Sequence, residues 1–149
     1  MNSQLVPGQT GSQLCDAILM QAADAIIFAD RNGVIRLWNL GAEALFGFPA
    51  VEVIGSSLDV IIPERFRQAH WEGFRRAVTS GRTRHGNSVR TTAAVHKSGR
   101  KLYVDLSFGL VRDDSGSVIG SVAVGRDCSV RHTADKTLRE RLAELERSQ

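Results

Sequence analysis

Apolar and polar residues alternate most regularly late in the chain. Leu102, Val104, Leu106, Phe108 and Leu110 interleave with Tyr103, Asp105, Ser107 and Gly109. A period of two predicts a strand with one buried face. The turn signals HKSGR and DDSGS bracket it, so Ser88–Val95 before it and VIGSVAVGRD after it read as its neighbours in an antiparallel sheet. Near the start, Ala25–Ala29 and Val34–Trp38 flank DRNG, whose Asn-Gly centre predicts a β-hairpin. Five strands result, with helical patterns inserted between the second and the third. Asn39 is placed to accept the first free amide hydrogens of LGAEALF, and Gly47 to end that helix. PAVEVIG forms a further short helical turn ending at Gly55. Pro63 suits a first helical position, where its missing N–H costs nothing. From there a long helix is expected to run to about Thr79, with Gly81 beyond its end.

The two ends follow other patterns. Residues 1–10, with Pro7 and Gly8, show no periodicity and read as a flexible leader. A helix over 11–23 is expected, capped by Ser12, with Leu14, Ile18 and Leu19 on one side. After a folded domain over 24–129, the tail 130–149 is polar and helix-prone. Its Leu138, Leu142 and Leu145 follow a coiled-coil spacing that covers fewer than two heptads. These terminal helices predict a homodimer.

On the long helix, Ile62, Phe66, Ala69, Gly73 and Ala77 form the expected apolar stripe, and His70 falls inside it. A buried imidazole needs partners for its nitrogens. It hydrogen-bonds within the core, stays partly wet and titrates, or binds a metal through a ring nitrogen. Gly73 and Ala77 put little side-chain volume beside it. That would admit a flat macrocycle or simply let helix and sheet pack closely.

Composition narrows the functional classes. Hydrophobic residues make up 42% and charged residues 23% of 149, ordinary for a globular protein of one domain with tails. No apolar run approaches the ~20 residues that span a bilayer, and the N-terminus lacks the basic start and apolar core of a signal peptide. A cytoplasmic location with reduced Cys15 and Cys128 is therefore expected. The net charge of +3 comes largely from arginines of the long helix and the segment after it. These read as a solvated face, and no direct nucleic-acid binding is expected. No nucleophile–base pair is visible, so an enzyme is not expected.

The order of elements, together with DAIIFADRNGVIRLWNLGAEALFGFPAVEVIG and HKSGRKLYVDLSFGLVRDDSGSVIGSVAVGRDCSVR, resembles a PAS domain. Gly33, Asn39, Phe46, Gly47 and Gly55 stand where that family usually places such residues. Arg126-Asp127-Cys128-Ser129 resembles the family's Asp-Ile-Thr junction to an effector, with Cys and Ser in place of Ile and Thr. The resemblance implies an α+β fold, a five-stranded antiparallel sheet with helices packed on one face. It also implies a sensory module feeding a downstream effector such as a histidine kinase or a cyclic-dinucleotide enzyme. Within the family, Pro63, Arg65-Phe66-Arg67, His70 and Phe74 are similar to the long helix of haem-binding oxygen sensors. Carried over residue by residue, His70 is the proximal ligand of haem b. Arg90 is then the distal arginine that meets a diatomic gas (O2, CO or NO), and Arg76, Arg84 and His85 are partners for the propionates. Ser88 stands where some of these sensors carry a methionine ligand. A reactive flavin-type cysteine is absent from GSSLDVII. The alternative reading is a cofactor-free PAS module for dimerisation and relay.

Overall fold

The computed structural model describes residues 8–84, 86 and 88–149. Five strands, β1 (Ala25–Asp30), β2 (Ile35–Trp38), β3 (Arg90–Val95), β4 (Lys101–Arg112) and β5 (Val118–Asp127), form one sheet. Every neighbouring pair is antiparallel, and the order is β2-β1-β5-β4-β3. The first and last thirds of the domain thus meet at the centre of the sheet, and the helical insertion bridges its two outer strands. Ahead of the sheet lies α1 (Gly11–Gln21). The bridge comprises α2 (Leu40–Phe46), α3 (Ala50–Val53), a 3₁₀ turn (Leu58–Ile61) and α4 (Glu64–Ser80); α5 (Ser129–Arg147) follows the sheet.

Local chemistry explains the joints. In the first hairpin Asp30 Oδ1 accepts from the amides of Asn32 and Val34, and Gly33 takes the left-handed backbone (φ 76°) that the turn requires. Asn39 caps α2 as expected, and its side chain does more. Oδ1 accepts from Ala42 N at 2.9 Å and from Ile26 N at 2.8 Å, while Nδ2 donates to the carbonyls of Leu19 and Asp24 at 2.9 and 3.0 Å. This one buried amide ties α1, β1 and α2 together. Gly47 and Gly81 end α2 and α4 in the left-handed conformation.

The core lies between the sheet and the helical bridge. Ala25, Ile27 and Ala29 of β1, Leu102 and Val104 of β4, and Ala94 of β3 meet Phe46, Val53, Leu58, Ile61, Phe74 and Val78. Trp38 is buried against Phe46 with ring centroids 5.4 Å apart, and its Nε1 donates to Phe48 O. Burying each large apolar side chain of this set contributes about 1.5–3 kcal/mol.

Four sequence expectations change. Thr10, not Ser12, caps α1, through a reciprocal pairing with Gln13. The buried face of α4 is rotated from the expected stripe: Phe74, Ala77 and Val78 are buried, whereas Ala69 is exposed and Phe66 is 42% exposed. Phe66 borders a cavity rather than a packed core. His96 beside a turn and His132 in the tail read from the sequence as solvated, yet both are half-buried. His96 packs on Gly47, where a Cβ would meet its ring, and His132 stacks on Tyr103 with centroids 3.7 Å apart. Pro63 is the capping residue before α4 rather than its first residue.

Candidate functional site

Two neighbouring cavities separate α4 from the sheet, and His70 borders both. The inner one, about 430 Å³, is walled by Ile27, Leu58, Ile61, Phe66 and Phe108, with Ser121 and Ala123 on its floor. The outer one, about 510 Å³, runs along α4 past Gly73 and Ala77 to Ser88 and Arg90. Leu106 and Phe108 line both. Each lies within the size range of small-molecule sites; the inner one has mostly apolar walls, whereas Arg76, Arg84, Ser88 and Arg90 make the outer one more polar.

The strand register decides which way β3 faces. Arg90 pairs with Leu106, Thr92 with Val104 and Ala94 with Leu102. Leu106 lines the cavities, and Leu102 and Val104 are core. Residues paired across an antiparallel sheet share a face, so Arg90 is on the helix side. Arg90, which is exposed, borders the outer cavity together with His70. Arg76 and Arg84 border the same cavity. Four of the five expected site residues therefore gather around one space, and three of them are cationic. The fifth, His85, lies outside the described residues.

His70 itself is half-buried, and its Nδ1 is shielded from solvent with no hydrogen-bond partner among the described residues. Burial pushes its pKa below the ordinary histidine value, opposed by the Asp59 carboxylate. Burial thus favours the uncharged imidazole, the form that binds metals. Around it, Trp71 approaches edge-on (centroids 4.7 Å, interplanar angle 80°) and Phe74 lies 6.1 Å away. Trp71 Nε1 donates to Asp59 Oδ1 at 2.7 Å.

Three participants were not legible in the sequence. Ser121 is 3% exposed on the floor of the inner cavity, and its hydroxyl makes no hydrogen bond among the described residues. A serine within VIGSVAVGRD carries no signal of this kind; only the register that faces it inward reveals it. Asp59 and Gly33 meet Trp71 from outside α4: Asp59 accepts its Nε1–H, and a Cβ at Gly33 would fall on its ring.

A polar junction leads from β3 to α5. Asp105 on β4 accepts from Thr91 Oγ1 at 2.8 Å and pairs with Arg131 of α5 at 2.7 Å. The Thr91 hydroxyl first, then Arg131, hold its carboxyl below the usual carboxylate range. Cys128 N donates to Tyr103 O, and Ser129 Oγ accepts from Tyr103 N.

The family model for the PAS fold matches residues 13–128. Over 114 residues the chain is 28% identical to the oxygen sensor protein DosP of Escherichia coli K12, covering 76% of this chain and 14% of that protein. Over 129 residues it is 28% identical to the sensor protein FixL of Bradyrhizobium diazoefficiens, covering 87% and 25%. The chain thus spans a quarter or less of the length of these relatives. Among solved structures, it is similar to a Colwellia psychrerythraea PAS domain (TM-score 0.68, 21% identity, 79% of this chain and 96% of that one). It is also similar to an RNA-binding light-oxygen-voltage receptor (TM-score 0.73, 22% identity, 99% and 41%). No helix among the described residues is long and apolar enough to cross a membrane. The matched span takes in the whole sheet and the bridge that encloses both cavities, and the chain belongs to the PAS family of sensory signal-transduction modules.

Proposed function

We propose that this module binds haem b through His70 and senses a diatomic gas. The observation that carries the reading is the half-buried imidazole bordering two cavities, whose Nδ1 has no hydrogen-bond partner among the described residues. No group of three or more potential ligands for a bare metal ion exists among the described residues. One histidine suits a metal that arrives with ligands of its own, as in a macrocycle. The apolar walls fit such a ring, and Arg76 and Arg84 offer cations for its carboxylates. The similarity to a relative named as an oxygen sensor supports the same reading. When bound, the haem would supply the centre that takes the gas; the protein would supply an imidazole, a largely apolar inner cavity and the guanidinium of Arg90. The test is a titration of the purified chain with haemin. A saturable Soret band at one haem per chain is expected, and its absence rejects the reading.

Arg90 faces the cavity with a permanent charge. It favours a ligand that gathers negative charge, such as O2, over one that gathers little, such as CO. A charge-assisted hydrogen bond contributes about 1.5–3 kcal/mol, roughly one to two decades in affinity. Arg90→Ala is expected to lower O2 affinity by that factor and leave CO affinity nearly unchanged. Equal losses for both gases would show that Arg90 only supports the pocket.

The output is proposed to run through the Asp105 junction into α5 and on to an effector such as a histidine kinase or cyclic-dinucleotide enzyme. Leu138, Leu142 and Leu145 are each more than 60% exposed on α5, and a second copy is the proposed cover. Leu142→Glu removes one leucine from each side of such a seam, a loss of about 3 kcal/mol or more. Sedimentation is expected to show a dimer whose dissociation constant rises about a hundredfold in the variant. A full-length chain that stays monomeric at high concentration refutes this.

A further inference from the structure

We infer that Trp71 is a positioning residue that sets the plane of the His70 imidazole, anchored from outside α4 by Asp59 and Gly33. The role as a ligand-orienting device rests on the haem reading; the restraint on His70 does not.

His70 makes no side-chain hydrogen bond among the described residues, and its Nδ1 is buried without a partner. A hydrogen bond is the usual means of fixing an imidazole's orientation. Here only ring contacts are left to do so. His70, Trp71 and Phe74 form a mutual cluster, with Trp71 edge-on to both others: 4.7 Å and 80° to His70, 5.3 Å and 76° to Phe74. Edge-to-face geometry is a preferred aromatic arrangement that resists rotation of either ring.

Trp71 is itself held at two points. Its Nε1–H donates to Asp59 Oδ1 at 2.7 Å, a charge-assisted bond. Asp59 sits in the 3₁₀ turn, where Ser57 Oγ accepts from its amide and Arg67 of α4 donates to its carbonyl. At the far edge of the indole, Gly33 of the first hairpin leaves the space it fills: a Cβ there would fall on Cη2 and Cζ3. The indole is therefore clamped between the β1–β2 turn and the 3₁₀ turn, and passes that restraint to the imidazole.

The test reads His70 directly, in the full chain without added haem. Side-chain couplings and nuclear Overhauser contacts of the His70 ring are measured by NMR in wild type, Trp71→Phe, Asp59→Ala and Asp59→Asn. One rotamer is expected in wild type. Trp71→Phe and Asp59→Ala are expected to populate a second, and Asp59→Asn, which keeps an acceptor oxygen, to restore the single state. If Trp71→Phe does not fold, Asp59→Ala decides, because it releases the indole without altering any ring. Variants that lose thermal stability while His70 keeps one rotamer would overturn the inference and reduce Trp71 to a packing residue. A haem arm separates this from the functional reading. Wild type that takes up no haem rejects that reading and leaves the rotamer result standing. Where haem is taken up, the iron–histidine stretching band is expected to broaden or shift in Trp71→Phe; an unchanged band would overturn the ligand-orienting role.

Discussion

Haem uptake by His70→Ala is expected to fall below detection, with no saturable Soret band at haemin concentrations that saturate the wild type. Among the described residues that line the two cavities, His70 is the only histidine and none is a cysteine or methionine, and Ser88 in the outer cavity is a weak donor for iron. The ligand-free protein should barely notice the change. Substitution removes a half-buried ring, which costs packing, and also an unpartnered buried nitrogen, which costs desolvation; the two offset to within about 1 kcal/mol. Equal haemin affinity in wild type and variant would sink the assignment of His70. A variant that loses haem only because it unfolds would show itself by a large drop in melting temperature, and His70→Gln then separates ligand loss from cavity formation.

The opposite profile is expected of Asn39→Ala: a large loss of stability from a residue that touches no cavity. Its side chain satisfies two amides and two carbonyls on three elements, and it is fully buried. Alanine leaves these groups in the interior with no alternative partner, and removes the α2 cap as well. The expected cost is about 3–5 kcal/mol, a fall in melting temperature on the order of 10 °C. Thermal unfolding followed by circular dichroism measures it. A change under about 1 kcal/mol would mean that water replaces the amide, and that α1 is not tied to the domain through this residue.

These two residues differ in how far local sequence revealed them. Asn39 before an apolar helix is a short-range signal, so its capping of α2 was legible; its bonds to Leu19, Asp24 and Ile26 were not, because they depend on how α1 and β1 come to lie beside α2. The five strands and the α2 and α4 helices follow from period, turn residues and caps, which act over a few residues. The 3₁₀ turn that holds Asp59 was missed, since four residues carry no period. The α4 stripe was misplaced by a fraction of a turn because wheel geometry assumes that the most apolar side packs. In the folded chain Phe66 overlooks a cavity and Phe74 takes the core.

The sequence alone determined that the chain makes an α+β domain with two hairpins around a helical bridge, and that a histidine lies on the inward side of the longest helix of that bridge. Periodicity, capping and turn chemistry are local, so one chain suffices to read them. Which face of β3 carries Arg90 was decided only by tertiary structure: either register satisfied the strand pattern, and the pairing of Arg90 with Leu106 selects the inward one. The same pairing network turns Ser121 into the cavity floor and sets Asp59 and Gly33 on either side of Trp71. Those contacts join residues far apart along the chain, and the free energy that selects them is that of packing the whole sheet, which no short segment encodes.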